Sequence, residues 1–269
     1  MNKMEIAKER VRAWTSGQLD LSRLELTELP ELPAGLTEIN CSFNRLPRLP
    51  DTLPAALTDL YCNNNPLTTL PETLPLSLTT LYCHNTQLTT LPETLPAGLT
   101  TLNCPHTQLT TLSESLPAGL TTLVCSFNHL LSLPDTLPAA LRELYCHNNQ
   151  LTTLPDTLPA GLTTLYCHEN QLTTLSETLP AGLTALWCHN NQLTTLPDTL
   201  PAALTDLHCE NNQLTTLPET LPAGLSELYC WENDFPDREY EEPIPVYVAR
   251  VNAIAEAASQ ERIVQRCAL

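Results

Sequence analysis

One string governs this chain. A segment close to LTTLYCHNNQLTTLPDTLPAG recurs with little change, and its first leucine falls at Leu36, Leu57, Leu78, Leu99, Leu120, Leu141, Leu162, Leu183, Leu204 and Leu225, always 21 residues apart. An earlier unit, LDLSRLELTELPELPAG, is degenerate and one residue shorter. A coil of this size cannot bury its leucines alone, so stacked neighbours must share one core, and a chain of 269 residues reads as one solenoid rather than as two ordinary domains. Each coil can be read from its spacing. Leu162, Leu165 and Cys167 follow L-x-x-L-x-C, and residues two apart share a face of a strand. Asn170 then marks a turn, and the return leg through Leu175 and Leu179 ends in Pro180, with a second proline in that leg in most repeats. Proline lacks a donor and fixes φ, so the leg is neither an α-helix nor a central strand. The pattern predicts a parallel sheet along one side, extended legs along the other and modest curvature.

Charge narrows the function classes. Twelve Lys and Arg stand against 30 Asp and Glu, a formal net charge of −18. A phosphate-neutralising nucleic-acid binder needs clustered cations, and an anionic membrane surface needs the same. Partners are therefore expected to include neither nucleic acid nor membrane. No run reaches the roughly 18 apolar residues of a membrane span, and MNKMEIAKERVRAW lacks the apolar core of a signal peptide.

The motif L-x-x-L-x-(L/C)-x-x-N-x-L-x-x-L-P resembles the leucine-rich repeat, over about four-fifths of the chain. The short form with L-P-x-x-L-P, and the opening GQLDLSRLELTELPELPAGL, resemble the repeat domain of secreted bacterial effectors, including those with a novel-type ubiquitin-ligase domain. Repeats with Cys in place of Leu also resemble arrays from amoeba-associated bacteria and giant viruses. The resemblance implies an α/β repeat, mostly β: a leucine-rich repeat solenoid with its sheet on the concave face, Pro-bearing convex legs and helical caps. The expected divisions are residues 1–18 as an N-terminal capping helix, 19–236 as repeats and 237–269 as a C-terminal linker and helix. Ligase-type effectors continue into a helical catalytic domain, whereas 33 residues follow the last repeat here, so ligase activity is not carried over.

Ten of the eleven cysteines occupy one repeat position, from Cys41 to Cys230. Stacked side chains point alike, so a reduced apolar ladder is expected rather than disulfides, and free thiols suit a reducing cytosol, that of the source cell or of a host. Cys267 stands apart, one residue short of a prenylation box. Asn44, Asn65, Asn128, Asn149, Asn170, Asn191, Asn212 and Asn233 form a second column, with Thr86 and Thr107 as exceptions that should make weak rungs. Their amides are expected to satisfy turn backbone.

Function must sit in columns that vary and face outward. The residues just before and just after each Cys give Tyr145, His147, Tyr166, His168, Trp187, His189, His208, Tyr229 and Trp231 as a continuous candidate binding patch for a protein partner. The same rings could instead serve only to stack on neighbouring strands. His147, His168 and His189 suggest zinc, yet their rung spacing is too wide, so no metal and no cofactor are expected. Their mutual repulsion should lower their pKa values in the folded state. No Ser-His-Asp set, phosphate loop or Cys-x-x-Cys pair appears, and no enzymatic activity is expected. An acidic stripe (Asp51, Glu72, Glu93, Glu114, Asp135, Asp156, Glu177, Asp198, Glu219) serves solubility or steers a basic partner. At the ends, Met4, Ile6, Ala7, Val11 and Trp14 predict an amphipathic helix over residues 2–14, and Val251, Ile254, Ala258 and Val264 predict one face of a second helix that seals the last rung or binds a partner. The reading is a non-enzymatic interaction module, an effector or scaffold. Its alternatives are the recognition part of a ligase-type effector and a structural or adhesive repeat protein.

Overall fold

The structure, a computed structural model, describes residues 2–239 and 242–267, with side chains described through Gln260 in the last helix. Helix α1 (Lys3–Ala13) precedes eleven strands: β1 (Gln18–Asp20), β2 (Glu38–Asn40), β3 (Asp59–Tyr61), β4 (Thr80–Tyr82), β5 (Thr101–Asn103), β6 (Thr122–Val124), β7 (Glu143–Tyr145), β8 (Thr164–Tyr166), β9 (Ala185–Trp187), β10 (Asp206–His208) and β11 (Glu227–Tyr229), and α2 (Ile244–Cys267) follows. The elements fall into two compact units, Met1–Asn149 and Gln150–Leu269.

Each unit is a stack of parallel rungs in chain order, one repeat per rung. In the first unit Ile39 is aligned with Leu60, Leu60 with Leu81 and Leu81 with Leu102. In the second, Leu165 is aligned with Leu186, and Leu186 with Leu207. The middle residue of each of these strands is buried, as alternation requires, and the cysteine two positions on is buried with it. Three residues make a short strand, but pairing continues past it: Cys41 donates its N–H to Tyr61 O (2.9 Å) and Cys188 to His208 O (2.8 Å). The prolines act as expected. No leg among the described residues is helical, and each closes in a tight turn such as Leu57 N–H to Pro54 O (3.0 Å).

Asparagine joins the rungs. In the first unit Asn128 donates its side-chain amide to Cys125 O (3.1 Å) in its own coil and Cys104 O (3.0 Å) in the coil before, while its Oδ1 accepts from Leu109 N–H (3.0 Å). In the second, Asn191 donates to Cys188 O (3.0 Å) and Cys167 O (3.1 Å), and accepts from Leu172 N–H (2.9 Å). Thr86 and Thr107 instead donate to Cys83 O (2.9 Å) and Cys104 O (3.0 Å) in their own coils, and Thr107 also meets Asn128 Oδ1 (2.5 Å) of the coil after it. A hydroxyl has one donor and no second arm, so the donor to the preceding coil is lost. The residue just before this column carries an unanticipated feature: from Phe43 to Glu232 it has φ between 51° and 55° in every repeat. Asn tolerates that conformation best, and Phe, His and Glu hold it at Phe43, His106, Phe127 and Glu169 only because the stacked backbone fixes it.

Both ends are covered. Asn2 caps α1 by accepting from Met4 N–H (3.2 Å), Ala7 is fully buried, and Met4, Ile6, Val11 and Trp14 are half-buried. Arg10 donates to Asp20 O (2.8 Å) on β1, and Trp14 donates its indole N–H to Gly17 O (2.9 Å), where φ of +75° requires glycine. Helix α2 seals its unit with part of the expected face, Val251 and Ala258, and with Tyr247 and Val248 where Ile254 was expected. Tyr247, Val248 and Val251 are buried, while Ile254 is 44% exposed. The docking stripe runs through 247, 251, 255 and 258 in steps of about one turn, and Ile254 lies off it. Asn252 reaches the last leg with both ends of its amide, accepting from Leu217 N–H (3.1 Å) and donating to Leu217 O (2.9 Å). Arg250 holds the linker by a fork on Glu242 (2.9 and 2.8 Å) and a bond to Asp237 O (2.9 Å). The side chains of Val264 and Cys267 lie outside the described residues.

The ten repeat cysteines are buried in one column, as the ladder reading requires. Burial raises the thiol pKa of Cys41, Cys83, Cys125 and Cys167 to about 12. In a Cys267→Ser variant a thiol reagent should therefore react only as fast as the protein unfolds, and rapid native labelling would place the ladder on the wrong face. Denaturant unfolding should show Asn128→Ala losing about 3 kcal/mol, because several buried backbone partners are orphaned, and Thr86→Asn gaining about 1 kcal/mol.

Candidate functional site

The residues flanking each buried cysteine point to the opposite side of the strand and form two parallel columns. Seven of the nine candidate residues lie in the second unit, and Tyr145 and His147 lie on the β7 rung of the first. In the second unit the column before the cysteine is a stack of rings. Tyr166 lies flat on Trp187 (centroids 4.1 Å, 5° between planes), Trp187 on His208 (4.5 Å) and His208 on Tyr229 (4.3 Å). In the column after it, His168 lies on His189 (4.2 Å, 13°), and Trp231 meets Tyr229 edge-on at 5.2 Å. Tandem strands at fixed spacing make this stacking almost unavoidable.

The expectation of exposed rings is corrected here. Each ring covers its neighbours, so these side chains are half-buried, and Trp231, at 43% exposure, is the open one. In the first unit Tyr61 and Tyr82 pair at 5.1 Å, and His147 meets Phe127 edge-on at 5.4 Å. A neighbouring column escaped the sequence reading: Phe127 stacks on His106 (4.1 Å), and Arg23 lies over Phe43 (4.0 Å). The left-handed backbone turns these side chains outward, and no spacing rule in the sequence announces it.

The polar centre of the second unit is Glu210. Its Oε1 lies 3.7 Å from His189 Nδ1 and 4.0 Å from His208 Nδ1, while His208 Nε2 lies 3.9 Å from Glu227 Oε2. These gaps exceed a hydrogen bond and leave electrostatic attraction. The three side chains of His189, His208 and Glu210 are 16%, 16% and 11% exposed, and each offers an atom within 4.8 Å of the other two. Burial lowers the pKa of His189 to about 4, with nearby His208 adding repulsion; burial also lowers His208, against the pull of Glu227 and Asp206. Glu210 is raised by burial. The expected depression is thus present at His189, but desolvation outweighs repulsion and the repelling neighbour is His208. His168 and His189 stack face to face, which directs their nitrogens alongside rather than towards each other. The acidic stripe is exposed throughout.

A family model described as Leucine Rich Repeat matches residues 140–160. Among solved structures, YopM from Yersinia enterocolitica WA-314 is 33% identical with a TM-score of 0.60, over 85% of this chain and 59% of that one. A Shigella effector LRR domain is 31% identical with a TM-score of 0.51, covering 70% of this chain and 77% of its own. The functional domain of InlJ from Listeria monocytogenes, which includes a cysteine ladder, is 29% identical with a TM-score of 0.66, over 83% and 55%. The chain thus spans less than two thirds of YopM and of the InlJ domain. No curated protein matches it in sequence. Among the described residues no helix is long and apolar enough to cross a membrane.

The histidine shifts set a pH dependence. His189 is neutral in both states above its ordinary value of 6.5, and between 6.5 and about 4 the unfolded chain takes up the proton first. Stability therefore falls as pH drops through that window. Glu210, with its raised value, acts in the opposite sense, losing stability as pH rises through its folded pKa. Unfolding measured with a chelator present should show wild type losing on the order of 1–2 kcal/mol more than His189→Gln between about pH 7 and 5; parallel curves would refute the buried-histidine account.

Proposed function

The chain belongs to the leucine-rich repeat family, and from that premise we propose that it is a non-enzymatic interaction module that binds a protein partner through the outer face of its sheet. The observation that carries this is the ring stack of Tyr166, Trp187, His208 and Tyr229, with His168, His189 and Trp231 beside it. Rings already packed on a rigid backbone lose little side-chain entropy when a partner covers them, which is what anchors need. Tyr145 and His147 of the first unit are proposed as contacts in their own right.

The partner class follows from charge. A net charge of −18 and an acidic residue on nearly every return leg favour a basic protein surface and oppose nucleic acid. The likeness to effector repeat domains supports an effector or scaffold role, and the buried thiol ladder suits a reducing cytosol, a host's included.

Affinity capture from eukaryotic host lysate, set against lysate of the source organism, would supply the partner. Its affinity should then fall at least about 100-fold in a Tyr166→Ala, Trp187→Ala double variant, since two anchors contribute about 2 kcal/mol or more each. Circular dichroism should confirm the fold. Unchanged affinity in the folded double variant would overturn the assignment of this face.

A further inference from the structure

We propose that His189, His208 and Glu210 form a binding site for a zinc-type divalent cation, held by two imidazole nitrogens and one carboxylate. The sequence pattern alone points away from a metal, because neighbouring histidines in one column are stacked. The site arises between columns: His208 and Glu210 flank the same buried cysteine, Cys209, and His189 comes from the rung before.

Three observations carry the site. The ligand atoms converge, with His189 Nδ1 and His208 Nδ1 at 3.7 and 4.0 Å from one carboxylate oxygen. Zinc bonds of about 2.0–2.2 Å separate two tetrahedral ligands by roughly 3.3–3.6 Å, so the two histidine–carboxylate edges close with shifts of up to about half an ångström and the widest pair, within 4.8 Å, with up to about an ångström. Next, His189 Nδ1 and Glu210 Oε2 are buried without a hydrogen-bond partner. Such orphans are costly; a cation bonded to Nδ1 and Oε1 satisfies the first, and its charge compensates the carboxylate that carries the second. Finally, the surroundings orient the rings. His189 rests on His168, and His208 sits between Trp187 and Tyr229. Glu227 faces Nε2 of His208 at 3.9 Å, which favours the proton on that nitrogen and leaves Nδ1 as the ligand. Three protein ligands leave a fourth position for water or a group from a partner.

The test is titration of the full chain with Co2+, reduced and at neutral pH, followed by Zn2+ displacement. Visible d–d bands of a tetrahedral ion should saturate at one equivalent, vanish on adding Zn2+, and be lost in Glu210→Gln and in His189→Gln but kept in the first-unit control His84→Gln. Nitrogen chemical shifts of the His189 and His208 rings in the wild type should move together on Zn2+ addition, which decides the matter even if a variant fails to fold. Several results would overturn the proposal: absent bands, bands that persist in folded Glu210→Gln, unmoved ring shifts, or an intense near-ultraviolet thiolate band showing capture by cysteines.

Discussion

The asparagine amide that reaches two coils at once is the interaction on which the rest depends. A 21-residue coil has a long irregular backbone and few residues to spare for regular pairing. At each turn, carbonyl and N–H groups face inward where water cannot serve them, and one side chain must satisfy both its own coil and the one before. Asn65 does so through Cys62 O, Cys41 O and Leu46 N–H, and Asn212 does so through Cys209 O, Cys188 O and Leu193 N–H. Once the coils are locked in register, leucine burial, the thiol ladder and the ring stacks follow from translation along the stack.

That dependence explains which features were legible in the sequence. A strict period fixes what repeats, so the buried leucines, the Pro-bearing legs, the cysteine ladder and the service of Asn to the turn backbone all follow from spacing, whereas its reach into the preceding coil does not. Helix α1 was equally readable, because Met4, Ala7, Val11 and Trp14 lie on one stripe beside the capping Asn2. What breaks the period was harder to see. Helix α2 carries alanines on several faces, and only the position of Leu217, which Asn252 grips, selects the stripe that docks.

The candidate face shows the same division. The columns of Tyr, Trp and His were evident, since residues flanking an inward cysteine must point outward. Their mutual coverage was not, because ring orientation depends on rotamers that spacing does not specify. The Glu210 cluster stayed hidden for a related reason: its members belong to two columns and two rungs, and a column-by-column reading compares only like with like. One breach of the pattern pointed to it, a carboxylate at 210 where the preceding three repeats place histidine.

Amide hydrogen exchange along the leucine two residues after the bridging column tests the central claim most directly. Leu46, Leu109, Leu130, Leu151, Leu172, Leu193 and Leu214 donate their N–H to an asparagine Oδ1 of the next coil, whereas Leu67 and Leu88 face Thr86 and Thr107 at that place. If the amide bridge locks the coils, Leu67 and Leu88 should exchange markedly faster than the other seven, in spite of equal burial. Uniform protection along the whole column would show that leucine packing alone holds the stack, and would contradict the account.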